Sequence, residues 1–219
     1  MVQLFIDLDL SKYETHLITR SKFRMLCSAK NIDYNDYYEI STNIRNKYFY
    51  IHKNRTLINL SSLSMNDSIN SITGFTDSLF FSGCKFHCNG CWSKNTWDIN
   101  NGITYNIIDV YEAILNSKCK NISLLGGSPF YFMDKSLSIP LIKWIKQNTN
   151  KFIYVWTGYL KEEVEQWINL ELIDVLIDGK FELDKRNLNL LLRGSSNQRL
   201  FYKGKQVTEK ELLEIVDKI

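Results

Sequence analysis

The sequence predicts an α/β protein built on a parallel sheet, and three observations carry that prediction. From Ser78 onward, short apolar runs of strand length alternate with helical patterns of roughly 10–15 residues, the mark of βαβ units. The polar and glycine-rich breaks fall where the strand runs end: a cysteine-rich loop after Phe81, then Gly126-Gly127, Thr157-Gly158 and Asp178-Gly179-Lys180. Ligand sites of parallel sheets gather at that edge of the strands, so these breaks predict a single functional rim.

The elements follow in chain order. Residues 1–75 read as an N-terminal extension and residues 76–219 as the domain that carries the site. In the extension, Tyr48-Phe49-Tyr50-Ile51 and Thr56-Leu57-Ile58-Asn59-Leu60 are β-prone runs on either side of the polar His52-Lys53-Asn54-Arg55, which predicts a β-hairpin. Leu79-Phe80-Phe81 is a strand that runs directly into the cysteine loop. Ile107, Ile108, Tyr111, Ile114 and Leu115 recur at helical spacing and predict a helix over 105–116. A strand over 121–125 ends at Gly126-Gly127. The next helix is expected over 139–147, with Pro140 in its first turn, where the missing N–H costs nothing. Residues 151–156 form a strand, 162–169 a helix and 173–177 a buried strand. The last segment opens with Thr208 and Glu211, at the spacing of a capping box, ahead of Leu212, Leu213, Ile215 and Val216.

Composition limits the function. The 219 residues are 44% hydrophobic and 23% charged, enough apolar material for a sizeable core and too little charge imbalance for disorder. The net charge of +3 comes from 27 basic and 24 acidic residues spread along the chain, not from the concentrated basic stripe of a nucleic-acid binder. No run approaches the roughly 18 apolar residues of a membrane helix. The first residues carry acids inside their apolar run, unlike a secretory leader. A cytoplasmic location is therefore expected, and there clustered cysteines read as metal ligands or catalytic groups before disulfides. Cys27 and Cys119 stand alone and read as small buried residues.

The chemistry lies in Gly83-Cys84-Lys85-Phe86-His87-Cys88-Asn89-Gly90-Cys91-Trp92. Three cysteines at C-x3-C-x2-C spacing can wrap one compact centre. A [4Fe–4S] cluster is normally held by four thiolates, so three leave one iron open to a small chelating molecule. Gly83 and Gly90 let the backbone come close to such a cluster. The competing reading is zinc, with His87 as fourth ligand. His87 adjoins Cys88, an awkward placement for two ligands of one tetrahedral ion, and no second cysteine pair follows at the usual distance.

This loop resembles the hallmark of radical S-adenosylmethionine enzymes. More narrowly, Phe81-Ser82-Gly83-Cys84 through Cys91-Trp92-Ser93-Lys94-Asn95-Thr96-Trp97 resembles the activating proteins of anaerobic (class III) ribonucleotide reductase. Three further segments match that family in order: Val155-Trp156-Thr157-Gly158-Tyr159, Val175-Leu176-Ile177-Asp178-Gly179-Lys180-Phe181 and Arg193-Gly194-Ser195-Ser196-Asn197-Gln198-Arg199. The resemblance covers about residues 79–200.

The resemblance implies a partial, open (βα) barrel of the radical S-adenosylmethionine type, a [4Fe–4S] cluster on Cys84, Cys88 and Cys91, and S-adenosylmethionine on the open iron. It implies reductive cleavage to a 5′-deoxyadenosyl radical and abstraction of hydrogen from a glycine Cα in the large reductase subunit. An outside reductant such as flavodoxin would supply the electron. Gly90, Cys91 and Trp92 would lie against adenine and ribose, and Gly126-Gly127 would meet the methionyl amino group. Ser128 stands where the family usually has an acid after Gly-Gly. Lys180 would pair with the carboxylate of S-adenosylmethionine, Asp178 would face the substrate loop, and Arg193 to Arg199 would contact cofactor or partner. The family begins only a few residues before the cysteines, so the long extension is a departure. Two other readings remain: a small radical enzyme acting on a metabolite such as a deazapurine precursor, and a zinc-stabilised module without catalysis.

Overall fold

The computed structural model describes residues 37–41, 48–52, 57–131 and 135–218, together with Arg24, Met25 and Ser28. The first two strands, β1 (Tyr37–Ser41) and β2 (Tyr48–His52), pair antiparallel with each other. The remaining strands form one eight-stranded mixed sheet. They are β3 (Leu57–Asp67), β4 (Thr76–Phe81), β5 (Ile103–Asn106), β6 (Asn121–Gly126), β7 (Phe152–Trp156), β8 (Val175–Asp178), β9 (Arg199–Tyr202) and β10 (Lys205–Gln206). In space the order is β10-β9-β8-β7-β6-β4-β3-β5. The middle strands β4, β6, β7 and β8 are parallel, and antiparallel strands flank them on both sides.

The parallel strands are buried on both faces, as their continuous apolar runs require. Side chains alternate across the sheet. Val155 and Leu176 join a core beneath α1 (Ile107–Asn116) and α2 (Lys135–Asn148), whose Tyr111 and Trp144 rings stack at 3.9 Å. Tyr154, Val175 and Ile177 face the other side and meet Leu212 and Val216 of the C-terminal helix α4 (Glu209–Val216). The expected capping box is present: the Thr208 hydroxyl accepts the Glu211 N–H at 3.2 Å, and the Glu211 carboxylate accepts the Thr208 N–H at 2.7 Å.

The N-terminal ends of the strands are tied by charge. Lys151 Nζ bonds the fully buried Asp77 at 3.0 Å, and Ser117 Oγ donates to the same carboxylate at 2.9 Å. Lys146 pairs with Asp174, which also accepts the Ile153 N–H at 2.7 Å.

Several local expectations change. The two β-prone runs around His52–Arg55 are strands but not partners: β2 pairs with β1, while β3 pairs with β4 (Leu60 opposite Phe81) and with β5 (Leu57 opposite Asn106). The buried Ile58 and Leu60 give β3 a larger apolar surface to join in the main sheet than a lone hairpin offers. The first helix begins at Ile107 because 103–106 pair as β5. The second begins at Lys135, so Pro140 lies inside it and removes one intrahelical bond. The helix expected over 162–169 is a single turn, α3 (Lys161–Val164), followed by turns and a 3-10 segment (Leu170–Leu172). Cys119 is buried as expected, and Cys27 lies outside the described residues.

Candidate metal centre

The cysteine loop leaves β4 at its C-terminal end and is anchored by backbone on both sides. The Gly83 N–H donates to the Thr96 carbonyl at 2.7 Å and the Cys84 N–H to the Trp97 carbonyl at 3.0 Å. From β6, the Gly127 N–H reaches the Phe81 carbonyl at 2.8 Å and the Ser128 N–H reaches the Gly83 carbonyl at 2.9 Å. Gly126-Gly127 thus lies flat on the base of the loop. A Cβ at Gly127 would come within 2.4 Å of the Gly83 carbonyl oxygen, and one at Gly126 within 2.9 Å of Phe81 backbone. Only glycine allows this approach. Ser128 is buried and its hydroxyl shares a hydrogen bond with Thr157 at 3.1 Å, which ties the β6 and β7 loops together.

Cys84, Cys88 and Cys91 are free thiols, each partly buried. Burial pushes the Cys84 thiol up from its ordinary range, opposed by the N–H groups of Phe86 and His87; negative charge on the other two cysteines pushes the same way as burial. Burial likewise raises Cys88, opposed by the N–H of Phe181 and by the charge of Lys180. At both Cys84 and Cys88, burial is the larger effect and nearby backbone N–H groups oppose it. His87 turns away from zinc ligation: its ring stacks on Trp97, with centroids 4.7 Å apart. Among the described residues, no three His, Cys, Asp or Glu side chains converge closely enough to hold a single metal ion. Three cysteines on one loop, with His87 stacked away on Trp97 and no fourth side-chain ligand among the described residues, suit an iron–sulfur centre with one open iron better than a tetrahedral zinc.

Beside the loop lies a cleft of about 600 Å³, lined in part by Lys85, Phe86, Gly158, Glu163, Lys180 and Asn197. Gly158 makes room for the Phe86 ring, which a Cβ there would meet at 2.4 Å. Phe86 packs edge-on to Tyr159 at 4.8 Å, and Lys180 Nζ lies 5.4 Å from the Phe86 centroid.

The remaining expected site residues fall as follows. Lys180 is exposed at the cleft and adjoins Cys88 electrostatically. Gly90 has φ +74°, and Leu183 sits where its side chain would be. Trp92 is 95% exposed, its indole standing clear of the protein. Asp178 is fully buried and bonded to Arg199 and to the Lys161 N–H, so it does not face outward. The segment from Arg193 to Arg199 bonds this chain's own β8 loop. Asn197 Nδ2 donates to the Lys180 carbonyl at 2.7 Å, Gln198 Nε2 to the Gly179 carbonyl at 3.1 Å, and Ser195 Oγ accepts the Glu182 N–H at 3.2 Å. Sequence reasoning did not single out Asn197, Gln198 and Phe181 individually; the run of small amide and hydroxyl side chains at 195–198 was the available signal.

The profile of the 4Fe-4S single cluster domain family matches residues 73–201, which include the cysteine loop and every segment that touches it. An anaerobic ribonucleoside-triphosphate reductase-activating protein from Enterobacteria phage T4 is 37% identical over 129 residues, 56% of this chain and 81% of the relative. Proteins of the same name from Escherichia coli K12 and Salmonella typhimurium are 38% and 40% identical, each aligned over 83% of its length. The chain belongs to the family of anaerobic ribonucleoside-triphosphate reductase-activating proteins. An iron–sulfur cluster is accordingly a cofactor of this chain. No solved structure matches the chain. Among the described residues, no helix is long and apolar enough to cross a membrane.

Proposed function

We propose that this activating protein holds a [4Fe–4S] cluster on Cys84, Cys88 and Cys91, reductively cleaves S-adenosylmethionine, and installs a glycyl radical on the large subunit of an anaerobic ribonucleotide reductase. The observation that carries the reading is a set of three partly buried thiols on one loop, with no fourth ligand among the described residues, set beside a cleft at the C-terminal ends of parallel strands. When bound, the cluster supplies one electron to the sulfonium. The chain's own residues bind and orient. Gly126-Gly127 and Gly83 offer bare backbone against the loop, Lys180 offers a cation for the carboxylate of S-adenosylmethionine, and Gly90, Cys91 and Trp92 form a border for adenine and ribose. Ser128, bonded to Thr157, leaves recognition of the methionyl amino group to backbone oxygens, where the family usually adds a carboxylate. A dry, shaped site protects a reactive radical from side reactions.

The reading extends to a partial, open (βα) barrel made by the four parallel strands, a cytoplasmic setting and an outside reductant such as flavodoxin. It assigns residues 76–219 the chemistry, with β3 of the preceding segment completing the main sheet. The test is anaerobic reconstitution with iron and sulfide, followed by electron paramagnetic resonance of the dithionite-reduced protein with and without S-adenosylmethionine. A [4Fe–4S]⁺ signal that changes shape with S-adenosylmethionine and is absent from Cys88→Ala supports the proposal. Stoichiometric zinc and no cluster would overturn it.

A further inference from the structure

The cleft beside the cysteine loop is lined by two lysines that come from two different loops. Lys85 follows Cys84, whose N–H is bonded to the Trp97 carbonyl at 3.0 Å, so its backbone belongs to the anchored cysteine loop. Lys180 lies two residues beyond the end of β8. Both ammonium groups come to one ring: Lys85 Nζ is 5.3 Å and Lys180 Nζ 5.4 Å from the Phe86 centroid. Lys85 Nζ also stands 4.4 Å from the centroid of Tyr159, which packs edge-on to Phe86.

Neither cation is neutralised. Among the described residues, no carboxylate forms an ion pair with Lys85 or Lys180. The two acids that line the cleft are engaged elsewhere: Glu163 Oε2 accepts the Leu160 N–H at 2.8 Å, and Glu182 pairs with Lys185 at 2.7 Å. An ammonium resting on an aromatic face is held less firmly than one hydrogen-bonded to a carboxylate. A lysine on its flexible four-carbon stem can leave the ring for an anion that enters the cleft.

We infer that Lys85 is a second binding residue for the carboxylate of S-adenosylmethionine, which it holds together with Lys180. The inference rests on the function proposed above, which gives that carboxylate to Lys180 alone. A carboxylate has two oxygens and can accept from both ammonium groups at once. Bound in this way, one group of the ligand ties the cysteine loop to the loop after β8. The cleft thereby selects for an acidic ligand, since adenosine without the acid leaves both cations unpaired. In the C-x3-C pattern Lys85 is only a spacer, so spacing assigns it no role.

The experiment is anaerobic equilibrium dialysis of S-adenosylmethionine against the oxidised, reconstituted full-length protein, a state that binds without turning over. Wild type, Lys85→Gln, Lys85→Arg and Lys180→Gln are compared, with affinity taken per cluster and far-UV circular dichroism measured on each sample. Lys85→Gln keeps the length of the side chain and removes its charge, whereas Lys85→Arg keeps the charge. The Kd is expected to rise about tenfold in Lys85→Gln and in Lys180→Gln, the effect of one charge-assisted hydrogen bond, and to stay within about twofold of wild type in Lys85→Arg. An unchanged Kd in Lys85→Gln would overturn the inference, and so would an equal loss in Lys85→Gln and Lys85→Arg. A wild-type protein that assembles its cluster and binds no S-adenosylmethionine would instead overturn the proposed function.

Discussion

Arg199 closes on Asp178 from two points. Its Nε donates to Oδ1 at 3.0 Å, its Nη2 donates to Oδ2, and the Lys161 N–H adds a third donor at 2.6 Å. The two residues are cross-strand neighbours where β8 meets β9. Asp178 is fully buried, whereas Arg199 is 30% exposed and extends to Glu162 on the surface. A charge at the end of a central strand is thus neutralised directly beneath the loop that carries Lys180.

Removing the guanidinium strands that buried carboxylate. Arg199→Ala is expected to lose about 3 kcal/mol of stability, the low end for breaking a buried pair because Arg199 is partly in water. Arg199→Lys keeps the charge but not the two-pronged geometry and should recover only part of the loss. Urea unfolding monitored by tryptophan fluorescence measures both.

The same arginine sets a titration at the surface. Its hydrogen bonds hold the Glu162 carboxyl below its ordinary value of 4.5. A depressed carboxyl contributes stability above its unfolded value and loses it as pH falls through the folded one. In Arg199→Ala, the Glu162 midpoint is expected to rise toward the ordinary value, followed by carbon-detected NMR of the side-chain carboxylate. An unmoved midpoint would show that the Arg199–Glu162 contact is not populated in solution.

Each loop cysteine is expected to be indispensable. Cys84→Ala, Cys88→Ala and Cys91→Ala should each lose most of their iron and all glycyl-radical formation while keeping the secondary structure of the wild type. Iron analysis, circular dichroism and the radical signal on the reductase measure these three effects. Cys119→Ala, at a buried position outside the loop, should keep its iron.

Gly127→Ala tests the close approach of two loops. Its new methyl would stand 2.4 Å from the Gly83 carbonyl oxygen, which is backbone and cannot swing aside. A loss of about 1–3 kcal/mol is expected from overpacking, together with poorer cluster retention as the loop shifts. Gly158→Ala meets a Phe86 ring that can move, so its effect on stability should be smaller. Thermal melts and iron content of the two variants, compared side by side, decide this.

At the opposite end of the sheet, Lys151→Met leaves Asp77 buried without its cation. An expected loss of about 3–5 kcal/mol follows, measurable by denaturant unfolding. Clusters reconstituted in the folded fraction should keep the wild-type electron paramagnetic resonance spectrum.

Much of this arrangement is legible in the chain itself. The parallel strands announce themselves as continuous apolar runs, and Thr208 with Glu211 reports a helix start, because both signals are local. The cysteine loop is equally local, since its three cysteines lie within eight residues of sequence. Strand partners are another matter. β2 and β3 look like a hairpin from their spacing, yet β3 finds its neighbours in β4 and β5, and only the burial of Ile58 and Leu60 decides between the alternatives. The helical pattern at 162–169 stops after one turn at Val164, where the chain turns instead. The resemblance has Asp178 facing a substrate loop because its neutralising partner lies 21 residues further on. The bond from Asn197 is invisible for a similar reason: the carbonyl it meets lies 17 residues away.

The charged ties Lys151–Asp77 and Lys146–Asp174 sit at one end of the strands, and the thiols and cleft at the other. Framework and chemistry are therefore separately heritable. Substitutions that retune the rim for a different partner reductase can accumulate without loosening the base, and a base made sturdier need not slow the reaction. Lineages carrying such a scaffold have room to change clients while keeping their foundation.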